Sequence, residues 1–214
     1  MSEIFREVDE DVQRDRYAAL WQRFRWLVIG AVVVLVGGTA AYTVWTSYSA
    51  SVKVERGERF LAAAALSEQG RNDEAARAFA AFAEEANAGY AALARLREAA
   101  ALAEAGDQAG AIAVYDRIID DGGAESMLRE LAAVLAAQRL LDSEDPAGAE
   151  QRLAAVAGGA GPWRHLAREL QGVAALQAGR TADASAIFAE LAEEAGVPAG
   201  VKSRATELRA AIGE

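Results

Sequence analysis

The sequence predicts an all-α protein in which one N-terminal transmembrane helix precedes an array of stacked helix pairs. Three observations carry this. The composition is rich in the good helix formers Ala, Leu, Glu and Arg and holds 3 Pro, which favours helices and leaves little support for strands. A stretch without charge runs from Arg25 to Lys53. The rest of the chain returns small and large apolar residues at fixed offsets, the signature of a repeat architecture.

The uncharged stretch comes first. From Trp26 to Tyr48 the chain reads WLVIGAVVVLVGGTAAYTVWTSY, and about 20 apolar residues suffice to cross the hydrocarbon core of a bilayer. Trp26 at one end and Tyr42, Trp45 and Tyr48 at the other are placed as interfacial aromatic anchors. The expected organisation is a cytoplasmic tail over 1–25, a transmembrane helix over 26–48, a linker over 49–56 and a repeat domain over 57–214. The competing reading is a cleaved signal peptide ending at Thr39-Ala40-Ala41, but a signal core runs only about 7–15 residues and carries no aromatic belt beyond the cut. Arg14, Arg16, Arg23 and Arg25 precede the span, and Lys53, Arg56 and Arg59 follow it. That balance favours a cytoplasmic N-terminus only modestly. Gly37 and Ala41 form a small-xxx-small pair of the kind that packs helix on helix in a membrane, though small residues are common in such spans. In the tail, Ile4, Val8, Val12, Leu20 and Phe24 fall at mostly helical spacing, leaving an amphipathic helix and a frayed polar tail as the two readings.

Charge and composition exclude several classes. The formal net charge is −10, and most of it falls on the region after the span. An acidic body repels phosphate backbones, and no basic stripe interleaved with aromatics is present, so nucleic-acid binding is not expected. There is no cysteine, which removes disulfides, thiol catalysis and Cys-ligated metals. That absence fits either side of a bacterial membrane.

The repeat is the strongest signal after the span. Turn positions at Gly70, Gly106, Glu144 and Gly179 are spaced by 36, 38 and 35 residues. Five residues after each come Ala75, Ala111, Ala149 and Ala184; nine after, Phe79, Tyr115, Leu153 and Phe188; twelve after, Phe82, Ile118, Val156 and Leu191. Seven before each turn sit Ala63, Ala99, Ala137 and Gly172, and toward the end of the same helices Leu66, Leu102, Leu140 and Leu176. This order of small, large, turn, small and aromatic residues is that of a tetratricopeptide (TPR) helix pair. The first helix needs a small residue where the second crosses closely, the second needs its own Ala for the approach, and the aromatic residue fills the gap to the next pair. Such pairs stack because none buries its apolar face alone. The fold expected is a TPR-like α-solenoid of about four helix pairs with a C-terminal capping helix over Ala199 to Ile212, after the break at Val197-Pro198. Gly122-Gly123 and Gly158 to Pro162 separate pairs. Glu144, where the other repeats have Gly, marks the third as irregular, and Pro146 suits the first turn of the helix that follows.

No catalytic constellation emerges. His165 is the only histidine, and a ligand or base role needs convergent partners that it lacks. The acidic pairs Glu84-Glu85, Asp120-Asp121 and Glu193-Glu194 fall at helix ends and read as solvated faces. The Gly158 to Gly161 run lacks the Lys-Ser/Thr and preceding strand of a phosphate loop. No enzyme activity, cofactor, metal or small-molecule substrate is expected.

Repeat arrays act through a concave groove lined by the first helices of the pairs. Register places Phe60 and Ala64 there from the first pair, and Leu93, Leu96 and Ala100 from the second. The third supplies Leu131, Val134, Gln138 and Leu141, and the fourth Leu166, Glu169 and Val173. This lining is mostly apolar and lacks the Lys and Asn pairs of a carboxylate clamp. It suits apolar segments of a partner, with Glu68, Glu104 and Asp142 as an acidic rim. Alternatively, the terminal or the membrane-proximal helix fills the groove itself.

Four stretches carry a family resemblance: the tail IFREVDEDVQRD, the single span, GYAALARLREAAALAEAGD (Gly89 to Asp107) and GPWRHLARELQGVAALQAGR (Gly161 to Arg180), with Trp163 and Gly172 as landmarks. With these the chain resembles the ancillary SecYEG translocon subunits (YfgM-like), single-pass inner-membrane proteins with a periplasmic TPR-like domain. The resemblance implies a bacterial inner-membrane protein with a cytoplasmic N-terminus. Its partners would be the SecYEG translocon and a membrane-anchored periplasmic prolyl-isomerase-like chaperone, in the service of newly exported proteins. It offers no catalytic motif. The other reading is a structural adaptor for a different envelope assembly, such as the cell-division or wall-synthesis machinery.

Overall fold

The computed structural model describes residues 57–213, together with Leu35, Gly38, Thr39, Tyr42, Thr43, Trp45 and Glu55. The chain divides into two units, Met1–Glu55 and Arg56–Glu214. In the first, the described residues are helical, and the expected span over 26–48 otherwise lies outside them, as do the tail and most of the linker. Among the described residues no helix is long and apolar enough to cross a membrane. Leu35, Tyr42 and Trp45 are exposed. Thr39 Oγ1 donates to the Leu35 carbonyl at 2.9 Å and Thr43 Oγ1 to the Thr39 carbonyl at 2.8 Å, so these hydroxyls are satisfied within their own helix.

In the second unit every element is a helix. Helix α1 covers 57–68. It is followed by α2 (Asn72–Glu85), α3 (Ala88–Glu104), α4 (Gln108–Asp120), α5 (Ser126–Asp142), α6 (Pro146–Ala157), α7 (Arg164–Gln177), α8 (Thr181–Glu193) and α9 (Ala199–Ile212). From α2 onward each helix packs on the next, and contacts that skip a helix join α3 to α5, α5 to α7 and α7 to α9. The odd helices therefore form one continuous row backed by the even ones, as in a solenoid of stacked pairs.

The turn inside each pair explains why the register is so regular. Gly70, Gly106 and Gly179 have φ of 73°, 93° and 75°, and Glu144 has φ of 59°. In this left-handed conformation each turn residue donates its N–H to the carbonyl three back, and the next residue reaches the carbonyl five back. The pairs are Gly70 to Ser67 with Arg71 to Leu66, and Gly106 to Ala103 with Asp107 to Leu102. The other two turns repeat this as Glu144 to Leu141 with Asp145 to Leu140, and Gly179 to Leu176 with Arg180 to Ala175. This C-terminal cap satisfies otherwise orphaned carbonyls. The third repeat keeps the turn although a side chain must accept the glycine conformation. Asp107 and Asp145 then cap α4 and α6, accepting from the N–H groups of Gly110 and Gly148, and Pro146 occupies the first turn of α6.

Above the turns, the small and large positions meet in the core. Ala75, Ala111, Ala149 and Ala184 are fully buried, with Phe79, Tyr115, Leu153 and Phe188 beside them. Leu66, Leu102 and Leu140 stand four residues before their turns, but Leu176 stands three before Gly179, and Ala175 holds the equivalent buried place. Gly172 is the tightest crossing: a Cβ there would lie 2.5 Å from Phe188 Cε1, where Ala63, Ala99 and Ala137 serve the other pairs.

A further periodic feature is a set of ion pairs across the helix pairs. Arg59 pairs with Glu85 at 2.8 Å, Arg95 with Asp121 at 3.1 Å and Arg168 with Glu194 at 2.5 Å, each joining residues 26 apart across one helix pair. The third pair has Ala133 and Gly159 at these places, and Ala133 is buried. Arg59–Glu85 is exposed and the other two pairs are part-buried, and ion pairs within reach of solvent add little stability. They mark register rather than hold it.

Two variants test these packing rules. Glu144→Gly removes a side chain from a left-handed turn and is expected to stabilise the domain by about 1 kcal/mol, raising Tm by roughly 2–4 °C; a lower Tm contradicts the reading of the turn. Gly172→Ala gains helix propensity but overpacks against Phe188, for a net loss of about 1 kcal/mol. Combining it with Phe188→Leu recreates the Ala137/Leu153 pairing of the third repeat and should cost less than the two single changes summed, as read in a thermal-unfolding cycle. Additive losses would show that the glycine does not set the crossing.

Candidate protein-binding groove

The row of odd helices encloses an open groove of about 810 Å³. Phe60 of α1 sits at one end. Leu93, Leu96 and Ala100 of α3 and Leu131 and Leu135 of α5 supply the apolar lining, and Tyr115 of α4 closes the floor. A smaller cavity of about 190 Å³ shares Phe60, Arg97, Ala100 and Glu104 and adds Ala64 and Glu68. The sequence register thus brings Phe60, Ala64, Leu93, Leu96, Ala100 and Leu131 to one concave surface, with Glu68 and Glu104 at its edge.

The remaining residues assigned to the groove lie elsewhere. Val134 and Leu141 are buried with Ala137, Leu140 and Leu153 in the core under α5, α6 and α7. Leu166 and Val173 pack against that same core, and Val173 also against the cluster beneath α9. Gln138 is half-buried on α5 and does not line the groove. Glu169 is 5% exposed, and both its carboxylate oxygens accept from Arg204 of α9, at 2.6 and 2.7 Å. Between α5 and α9 the odd helices pack closely enough that residues expected on a concave face become core. The terminal helix does not fold into the groove; α9 packs on α7 and α8, in the position of a further first helix.

Electrostatics correct the expected acidic rim. Arg97 and Arg139 line the groove among the leucines, each one residue past a position that register assigns to the concave face, Leu96 and Gln138. Arg139 lies 3.5 Å from Asp142, the third acid assigned to the rim. Burial pushes the Tyr115 phenol above its ordinary range, with Arg139 opposing the shift, so the phenol stays neutral at physiological pH. On α3, Glu98 is 7% exposed and pairs with Arg117 at 3.1 Å; burial raises its carboxyl above the usual range, with Arg117 pulling it back.

Trp163 and Gln177 show how successive first helices are held in line. Trp163 Nε1 donates to the Met127 carbonyl at 3.1 Å and Gln177 Nε2 to the Leu141 carbonyl at 3.2 Å, tying the start and end of α7 to α5. His165 is the second residue of α7, with Nδ1 buried.

Residues 18–208 match the family described as tetratricopeptide repeat-like domain. The chain belongs to that family. No curated protein and no solved structure gives a significant match. A TPR-like fold with an open, partly apolar concave face suggests a role in binding other proteins.

Proposed function

We propose that this TPR-like protein is a non-enzymatic, membrane-anchored adaptor that binds partner proteins in the groove between α1, α3 and α5. In this reading it serves as an accessory subunit of the Sec translocon and assists periplasmic chaperoning of exported proteins. The observation that carries the binding role is the groove itself: among the described residues, apolar side chains from three consecutive first helices remain uncovered, where the same helix row further on is closed by its own packing. A domain that needed only to be stable would gain by burying them.

The anchor is supported by the uncharged stretch from Trp26 to Tyr48. Leu35, Tyr42 and Trp45 are exposed on helical backbone while Thr39 and Thr43 turn their hydroxyls to their own helix, a combination suited to lipid. The family match starts at residue 18 and so includes this stretch. The translocon, the prolyl-isomerase-like chaperone and the periplasmic placement of the domain rest on the resemblance carried by the segments around Trp163 and Gly172. The net charge and the absence of cysteine accord with partners that are proteins rather than nucleic acids or metals.

Crosslinking in intact cells from positions beside the span, read by mass spectrometry, is expected to give SecYEG subunits as the dominant adducts. Dominant adducts with division or wall-synthesis proteins would contradict the translocon assignment and favour a structural scaffold for that other envelope assembly. In spheroplasts, external protease should digest the repeat domain; its protection would contradict the periplasmic placement.

A further inference from the structure

The groove is not simply apolar, and its charges have a direction. On an acidic chain of net charge −10, the wall made by α3 and α5 carries Arg97 and Arg139 beside Leu93, Leu96, Leu131 and Leu135. Glu68 of α1 and Glu104 at the C-terminal end of α3 stand together at the edge that the groove shares with the smaller cavity, which Arg97 also lines. Arg97 is exposed and forms no ion pair among the described residues. Arg139 has only the 3.5 Å approach of Asp142, itself exposed. By contrast Arg59, Arg95, Arg117, Arg152, Arg168 and Arg204 each reach a carboxylate within 3.1 Å. Arg77, Arg129 and Arg209 likewise have no carboxylate partner among the described residues, but Arg97 and Arg139 are the two arginines that line the groove, next to a desolvating apolar wall that strengthens any charge-assisted hydrogen bond formed there.

We infer that the groove selects polypeptide segments in which leucine-like side chains flank an acidic side chain, the apolar groups seating on Leu93, Leu96, Leu131 and Leu135 and the carboxylate between Arg97 and Arg139. This rests on the groove-binding reading given above and specifies the chemistry of the occupant. The acid is an internal Asp or Glu: the lining runs across three helices and continues into the cavity at Phe60 and Glu104, so the bound chain passes along the groove. Glu68 of α1 and Glu104 at the end of α3 oppose an acidic residue at the edge shared with the smaller cavity and favour its seating toward Arg139 of α5. A purely apolar segment fills the lining but leaves both guanidinium groups without a partner, and a basic one opposes them. Selectivity therefore comes from the charge, and contact area from the leucines.

The test uses the full chain in phosphatidylcholine nanodiscs, with empty nanodiscs subtracted. The probes are terminally blocked peptides of alternating leucine and serine that differ in one central residue: Glu, Gln or Lys. Titration calorimetry is expected to give the Glu peptide roughly tenfold tighter binding than the Gln peptide, and the Lys peptide weaker still. Arg97→Gln with Arg139→Gln should abolish the preference for Glu over Gln while leaving the helical circular dichroism unchanged. Arg97→Lys should restore part of it, and Arg77→Gln, an equal loss of charge on the exposed face of α2, should leave it intact. Equal binding of the Glu and Gln peptides, or a preference that survives loss of both arginines, overturns the inference while the groove-binding reading stands. Failure of all three peptides to bind overturns both.

Discussion

The close crossing of the two helices within each pair is the constraint on which the rest depends. It requires a small residue on the first helix, Ala63, Ala99, Ala137 or Gly172, facing a buried small and large set on the second. It also requires a turn that reverses the chain in few residues, which the left-handed conformation at Gly70, Gly106, Glu144 and Gly179 supplies. With crossing and turn fixed, the apolar residues five, nine and twelve positions past the turn all point into the same seam. Stacking follows because a pair so built still exposes one face. The odd helices then come into line, and the groove is their shared surface rather than a separately built feature.

Why one end of that surface is open and the other closed is a matter of packing depth. In α1, α3 and the first half of α5 the concave positions end in Phe60, Leu96, Arg97 and Leu131, which remain in reach of solvent. Val134 and Leu141 of α5 are drawn into the core with α6 and α7, where Leu166 and Val173 pack against them, while Leu135 and Arg139 still line the groove. Trp163 and Gln177 fasten α7 to backbone carbonyls of α5, and Arg204 covers Glu169. A buried carboxylate with both oxygens matched by one guanidinium tolerates burial that an unpaired one would not. Solvent access to Arg204 keeps the pair's net contribution modest. The terminal helix thereby seals the C-terminal end of the array, and none of the described helices covers the groove at the other end.

Much of this was legible in the sequence because it depends on residue size at fixed offsets. The turns, the helix pairs, the buried Ala row and the terminal helix follow from spacing alone, and Glu144 reports its irregularity by being the wrong residue for its conformation. The groove was legible only in part. Offsets place a residue on a face, but whether that face is open depends on how closely the neighbouring helix approaches, so Val134, Leu141 and Glu169 were placed on a surface they do not share. Arg97 and Arg139 each follow by one residue a position that register places on the concave face, Leu96 and Gln138, and only the long reach of a guanidinium brings them to the groove. The ion pairs 26 residues apart were visible as Arg and acid at matching offsets in three of four repeats, a pattern obscured by Ala133 and Gly159 in the third.

What the account claims above all is that partners engage the concave row of odd helices and not the outer one. A photoreactive amino acid placed at Leu96 of α3, and in a separate strain at Gln151, exposed on α6, compares the two faces in living cells. The account predicts protein adducts from position 96 and few or none from position 151. Equal adducts from both faces, or adducts from position 151 alone, would contradict it.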